Sequence, residues 1–223
     1  MNIAMIPARL GSKRIKNKNL RLLGDKPLIQ HVIDTIKEVK LFDKIYINSE
    51  SDKFAEIAEK NNINFYKRPE NLSSDNATND EFVRDFLNNN NCENIFQILP
   101  TSPFISSKDI INFYNYYFDQ SCDTLISQKE VRIECTINNK PINFEKNKQT
   151  PPSQHLTPIM AYACSLMAWK SNIFLNNMIK YNCAYHGPEG NTDYFKLDGL
   201  ATIDIDEEFD FILAEYIYKS NHS

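Results

Sequence analysis

The chain has 223 residues, 42% hydrophobic and 24% charged, with a formal net charge of −4. That length suits one α/β domain with a full core, and the interspersed charges exclude the basic patch or stripe of a nucleic-acid-binding protein. No apolar run approaches the roughly 20 residues of a membrane helix, and five cysteines at wide, irregular spacing argue against a disulfide framework.

Residues 3–7 are a strand-like apolar run rather than the charged-then-apolar layout of a signal peptide, so the chain is expected to be cytoplasmic. A polar loop continues to about Leu20. Leu28, Val32, Ile36 and Val39 recur at helical spacing, which predicts a helix over 27–39 with Pro27 in its first turn, where a missing N–H costs nothing. A strand over 44–48, a helix over 51–60 with Phe54, Ile57 and Ala58 on one face, and a strand over 63–66 follow. Then come a helix over 79–87, a strand over 94–99, a helix over 106–118 opened by Ser106 and Ser107, and a strand over 124–127. From about 129 to 160 the alternation stops, and Pro141, Pro151, Pro152 and Pro158 punctuate the chain. This stretch is either a linker or, as irregular segments within compact domains more often are, a functional lobe or oligomer arm. A return strand over 161–169, a strand over 200–204 and a closing helix over 206–219, with Phe209, Ile212, Leu213, Tyr216 and Ile217 as its apolar face, complete the series.

Strand–helix alternation argues for a mostly parallel sheet covered by helices. The whole is read as one domain, 1–223, with about 130–160 inserted as a lobe. In such sheets ligands sit outside the carboxyl ends of the strands, so the loops after Pro7, Asn48 and Leu99 are where chemistry is expected.

The first of these loops carries Arg9, Lys13, Arg14, Lys16 and Lys18 around Gly11 and Ser12. Cationic side chains and inward-turned N–H groups suit a triphosphate, although a basic run is also what a solvated surface loop looks like. Neither GxxxxGK[ST] nor GxGxxG is present. Near the other end, Asp204 and Asp206 flank Ile205. If this is a strand end, both carboxylates share one side and suit Mg²⁺, which often binds one or two carboxylates plus substrate phosphates. Alternatively, Asp206 caps the closing helix.

The ordered set IPAR-x-GSKR-I-x-x-KN-L, G-D-KPLI, Arg68-Pro69-Glu70-Asn71-Leu72-Ser73-Ser74-Asp75, Leu99-Pro100-Thr101-Ser102-Pro103 and Ile203-Asp204-Ile205-Asp206 resembles the acylneuraminate cytidylyltransferase family from residue 3 to about 215. The resemblance implies a Rossmann-like nucleotidyltransferase fold and Mg²⁺-dependent transfer of CMP from CTP to the anomeric hydroxyl of a 2-keto-3-deoxy sugar acid, with release of pyrophosphate. It implies that Ala8, Arg9, Ser12, Lys13, Asn19, Arg68, Ala77, Thr78 and Asn79 hold CTP, and that Arg9, Lys13, Lys18 and Asp206 act in catalysis. Asp204 and Asp206 would hold the metal, and Leu99, Thr101 and Ser102 would face the sugar. A homodimer joined through the irregular excursion is also implied.

The sugar side departs from the family pattern. Leu99 stands where Gln is usual and Ile105 where Arg is usual; Pro152 to Leu156 replace an Arg-Gln pair, and Ala163-Cys164 an Asn-Gly. A buried carboxylate needs a paired donor, and Lys129, Arg132, Lys140 and Lys148 are available for it. Gln154 and His155 are candidates for lining the sugar pocket. His31 reads as structural, Tyr114, Tyr116 and Tyr117 as packing residues, and His186 and Asp193 carry no assigned role. Two other readings stay open: a synthetase for a 2-keto-3-deoxy octonic acid or another nucleotide-sugar pyrophosphorylase, and a degenerate transferase kept as a nucleotide-binding partner.

Overall fold

Strand β1 (Asn2–Pro7) becomes the middle of a seven-stranded sheet. In the computed structural model, which describes residues 1–221, a small hairpin of β2 (Leu22–Leu23) and β3 (Lys26–Pro27) leads into α1 (Leu28–Val39). β4 (Lys44–Ser49), α2 (Asp52–Lys60) and β5 (Asn64–Lys67) extend the sheet on one side of β1. The chain then crosses β1: α3 (Asn79–Asn89) delivers β6 (Asn94–Ile98) to its other edge. Beyond lie α4 (Ser107–Asp119), β7 (Thr124–Val131), the lobe hairpin of β8 (Thr136–Ile137) and β9 (Lys140–Pro141), β10 (Ile159–Lys170), α5 (Ser171–Tyr181), β11 (Thr192–Leu197) and α6 (Glu208–Asn221).

The sheet order is β11-β7-β10-β6-β1-β4-β5, with β10 running antiparallel to both neighbours and every other pair parallel. The period-2 pleat of β1 sorts the core. Ala4 and Ile6 face the α1, α2 and α4 side with Ile33, Phe54 and Phe113, whereas Ile3 and Met5 face the α3 and α5 side with Phe86, Trp169 and Phe174. Buried on both faces, β6 carries no exposed residue. Because the strand order turns back between β1 and β6, their carboxyl ends open a crevice, the usual ligand position in doubly wound sheets.

Capping boxes start two helices: Thr78 with Glu81 for α3, and Ser106 with Asp109 for α4. Tyr114 and Tyr117 pack on Phe96, and Tyr116 on Phe195. His31 bonds Leu23 O at 2.9 Å and meets the Tyr218 ring edge-on. All five cysteines are free thiols.

Three expectations are corrected. Residues 200–204 form no strand: Gly199–Thr202 is a 3₁₀ turn closed by the Thr202 hydroxyl on Gly199 O, and Ile205 N bonds Thr101 O without any ladder. The seventh strand is β11, which the expected series of strands does not contain, and Asp193 within it accepts from the Tyr116 hydroxyl. The closing helix turns Phe211 and Ala214 inward, against Ile15, Leu23, Leu28 and Ile205, and leaves Phe209, Ile212, Leu213 and Tyr216 exposed. Asp210, accepting from Asp206 N and Glu207 N, fixes that register, and Arg21 lies 3.8 Å from the Phe211 ring centroid.

Residues 132–158 stand apart from the sheet as a small lobe. Arg132 ties it together through Gln154 O and Leu156 O, while Ile133, Ile137 and Ile142 are exposed. No helix among the described residues is long and apolar enough to cross a membrane.

Candidate active site

A cavity of about 670 Å³ opens at the carboxyl ends of β1 and β6. Its floor is the chain leaving β1: Ala8 N bonds Asn48 O at 3.0 Å and Leu10 N bonds Glu50 Oε1 at 2.7 Å, which turns the basic loop over the strand ends. Asn17, left-handed at φ 54°, starts the 3₁₀ turn Lys18–Leu20 and points Lys18 and Asn19 inward. Loop, strand ends and the segment before α6 together line the cavity with Arg9, Lys13, Arg14, Lys18 and Arg68, facing Asp75, Asp204 and Asp206. Five cations against three carboxylates leave a positive surplus fit for a polyphosphate.

The acidic pair lies on the far wall. Although residues 203–206 are not a strand, the chain is extended at Ile203 and drives Ile205 into the core, so Asp204 and Asp206 both turn to the cavity. Lys18 Nζ donates to Ile205 O at 2.5 Å and to Asp206 Oδ1 at 3.2 Å, and Arg14 reaches the same oxygen at 3.0 Å. Asp206 is therefore an ion-paired carboxylate and not a helix cap. Asp204 Oδ1 is buried without a hydrogen-bond partner. Burial and the nearby Asp206 charge push its carboxyl above the usual range, against a hydrogen bond from Thr101. A buried carboxylate oxygen without a partner beside a second carboxylate is the donor set a hard cation suits. Among the described residues no cluster of three or more His, Cys, Asp or Glu side chains forms a site of its own. The arrangement fits Mg²⁺ shared with phosphate oxygens rather than an all-protein cage.

Arg68 enters from the end of β5. Its side chain is 3% exposed, donates to Ala8 O at 3.1 Å, lies 3.7 Å from Glu50 and stacks 4.8 Å over the Phe82 ring, while its Nε has no partner. Burial draws its pKa down, opposed by Glu50. Asn19 Oδ1 is likewise buried and unpartnered. On the opposite rim Asp75 pairs with Lys13 and, at 3.1 Å, with Arg9.

Of the residues expected at the site, Ala8, Arg9, Ser12, Lys13, Lys18, Asn19, Arg68, Leu99, Thr101, Asp204 and Asp206 line this cavity. Others lie elsewhere. Ala77 and Thr78 belong to the turn that caps α3, Asn79 lines an adjoining cavity, and Ser102 is buried on Ser165 Oγ at 2.9 Å. Gln154 and His155 are in the lobe, where His155 lines a separate cavity of about 450 Å³. Ile105 is core, and Lys148 pairs with Glu145. Phe82 and Glu50 were not anticipated. The signal for Phe82 was its place one turn into α3, directly after the RPxxLxxD segment.

Fold and site together define a nucleotidyltransferase-type architecture. The fold matches that of CMP:2-keto-3-deoxy-manno-octonic acid synthetase, solved in complex with CTP, with TM-score 0.75 over 99% of each chain at 12% identity. The chain belongs to the cytidylyltransferase family, whose model matches residues 3–159. It is 29% identical, over 99% of its length, to the N-acylneuraminate cytidylyltransferase of Escherichia coli O18:K1:H7, but spans only 52% of that protein. It is also 29% identical to the CMP-N,N'-diacetyllegionaminic acid synthase of Campylobacter jejuni, covering 96% of this chain and 94% of the other.

Proposed function

We propose that this chain transfers CMP from CTP to the anomeric hydroxyl of a 2-keto-3-deoxy sugar acid, releasing pyrophosphate. The observation that carries the reading is Asp204 Oδ1, buried without a hydrogen-bond partner and facing a cluster of loop cations across one cavity. Arg9, Lys13 and Lys18 bind the triphosphate and neutralise charge that builds on the leaving pyrophosphate. Arg68, stacked on Phe82, and Asn19 hold the nucleoside end through their unpaired Nε and Oδ1. The acceptor hydroxyl attacks the α-phosphorus in line as the bond to pyrophosphate breaks, so the chain's contribution is positioning and fixed charge. Asp204 and Asp206 would hold Mg²⁺, which supplies charge neutralisation at the phosphate oxygens when bound.

The relatives' names support a nonulosonic acid acceptor. The exposed Ile133, Ile137 and Ile142 of the lobe support a homodimer made through it. Asp206→Ala is the test of mechanism. Mg²⁺-dependent pyrophosphate release should fall by at least ~10²-fold with the circular dichroism spectrum unchanged; retained turnover would remove Asp206 from the chemistry.

A further inference from the structure

Glu50 directly follows β4 and does not itself line the cavity; its side chain is 16% exposed. Its two carboxylate oxygens face different parts of the site. Oε1 accepts from Leu10 N, in the basic loop, at 2.7 Å. Oε2 accepts from the Ser49 hydroxyl at 3.3 Å and lies 3.7 Å from Arg68 Nη2. The backbone keeps these groups side by side, since Arg68 N bonds Ser49 O at 2.9 Å. One anion at the ends of β4 and β5 thus touches both the loop that carries Arg9 and Lys13 and the arginine stacked on Phe82.

Burial works against the charge on Glu50. The N–H groups of Leu10 and of Glu50 itself and, with a smaller share, Arg68 outweigh it and hold the carboxyl below its usual range. Arg68 Nη2 is engaged by Ala8 O at 3.1 Å as well as facing Glu50, and Phe82 covers the guanidinium face. A guanidinium is a rigid planar fork, so holding one nitrogen fixes the direction of the others. Holding Nη2 therefore aims Nε, the unpaired donor of a side chain that lines the cavity.

We propose that Glu50 is a positioning residue: its carboxylate sets the base end of the nucleotide site, through Arg68, in register with the phosphate end, through Leu10 N. The inference rests on the nucleotide half of the reading above. The two oxygens have separable tasks, Oε1 for the loop and Oε2 for the arginine. An anion that only stabilised the fold would change the amount of folded protein and not its affinity for either end of the nucleotide.

The test is titration calorimetry with CTP and with inorganic tripolyphosphate, both in Mg²⁺, on wild type, Glu50→Gln and Glu50→Ala. Glu50→Gln keeps an oxygen for Leu10 N and removes the charge that faces Arg68. It should weaken CTP by about tenfold or more, the scale of a hydrogen bond to a charged group. Tripolyphosphate should bind it as tightly as wild type or more tightly, because a nearby negative charge is gone. Glu50→Ala also releases the loop and should weaken both ligands. In an Arg68→Lys background, Glu50→Gln should change CTP affinity by less than about twofold, since the group it acts through has been replaced. A smaller binding-competent fraction with both affinities unchanged overturns the proposal. So does tripolyphosphate weakening in step with CTP in Glu50→Gln, or full additivity with Arg68→Lys. Should Glu50→Ala fail to fold, Glu50→Gln and its pairing with Arg68→Lys decide alone. Binding needs no acceptor, so a lack of turnover with every sugar acid defeats the proposed transfer and leaves this measurement standing, whereas no CTP binding by wild type overturns both.

Discussion

Lys18 and Asp206, 188 positions apart in sequence, are joined at 3.2 Å, and the same ammonium donates to Ile205 O. The pair clamps the first loop of the sheet to the segment before the last helix, so the two halves of the cavity hold one another in place.

Replacing Lys18 by Met should therefore act on both stability and function. Ile205 O loses its Lys18 donor, and Asp206 keeps only Arg14. Removing one partner of a buried hydrogen bond costs about 1–3 kcal/mol, measurable by urea unfolding. Turnover should fall by ~10²-fold as well. Lys18→Arg should not restore it, since a planar guanidinium differs in shape from the ammonium that this largely buried site holds.

Asp204 carries the opposite sign. Its Oδ1, buried without a partner beside the Asp206 charge, costs stability in the protein alone. Asp204→Asn should raise Tm without ligand by about 2–4 °C per kcal/mol relieved, the scale for a chain of this size. The same substitution should abolish any extra Tm rise that Mg²⁺ adds to CTP. Lower Tm in the variant, measured by calorimetry, would mean that the carboxylate is held by bonds that outweigh its burial.

Asp75 competes with an incoming triphosphate for Lys13 and Arg9. Both cations hold the Asp75 carboxyl below its usual range, Lys13 most strongly. Asp75→Asn should release them and tighten CTP binding by roughly threefold at low salt, the size of an exposed ion pair. The gain should shrink as salt is added. Titration calorimetry at two salt concentrations reads both effects, and weaker binding would show that Asp75 orients the cations instead.

His31 gives the expected pH dependence. Burial first, and then Lys26, lower its pKa, while its bond to Leu23 O and the charges of Asp34 and Asp25 resist. The folded state thus takes up fewer protons than the unfolded chain between the lowered value and about 6.5, the ordinary one. Stability in that window rises with pH and is lost as pH falls. His31→Gln, which keeps a donor for Leu23 O, should flatten the slope of unfolding free energy just below about pH 6.5. An unchanged slope would assign it to other groups.

Much of the first half of the fold was legible in the sequence because apolar periodicity there is strong. Leu28, Val32 and Ile36 mark α1, and the run at 94–98 marks a strand buried on both faces. The second half was harder. β11 lies at the sheet edge with alternating polar residues, and Asn-rich α5 hides Phe174 and Met178 among polar neighbours. In α6 apolar residues occur all round the helix, so sequence alone did not show that Phe211 faces in. At the site, the basic loop and the Asp204–Asp206 pair stood out by residue type, but a solvated loop and a helix cap stayed open until the resemblance was added, and the strand that was to place both carboxylates on one side is not formed. The stack of Arg68 on Phe82 was not legible, because it depends on the end of β5 and the first turn of α3 meeting in space.

The most direct measurement is pyrophosphate release by the wild-type chain with CTP and Mg²⁺ against a panel of 2-keto-3-deoxy sugar acids, N-acylated and not, with the product identified by mass. Cytidylyl transfer predicts release that requires both substrates and a product carrying CMP on the acid. CTP binding without release from any acid would contradict it and leave a nucleotide-binding protein in place of an enzyme.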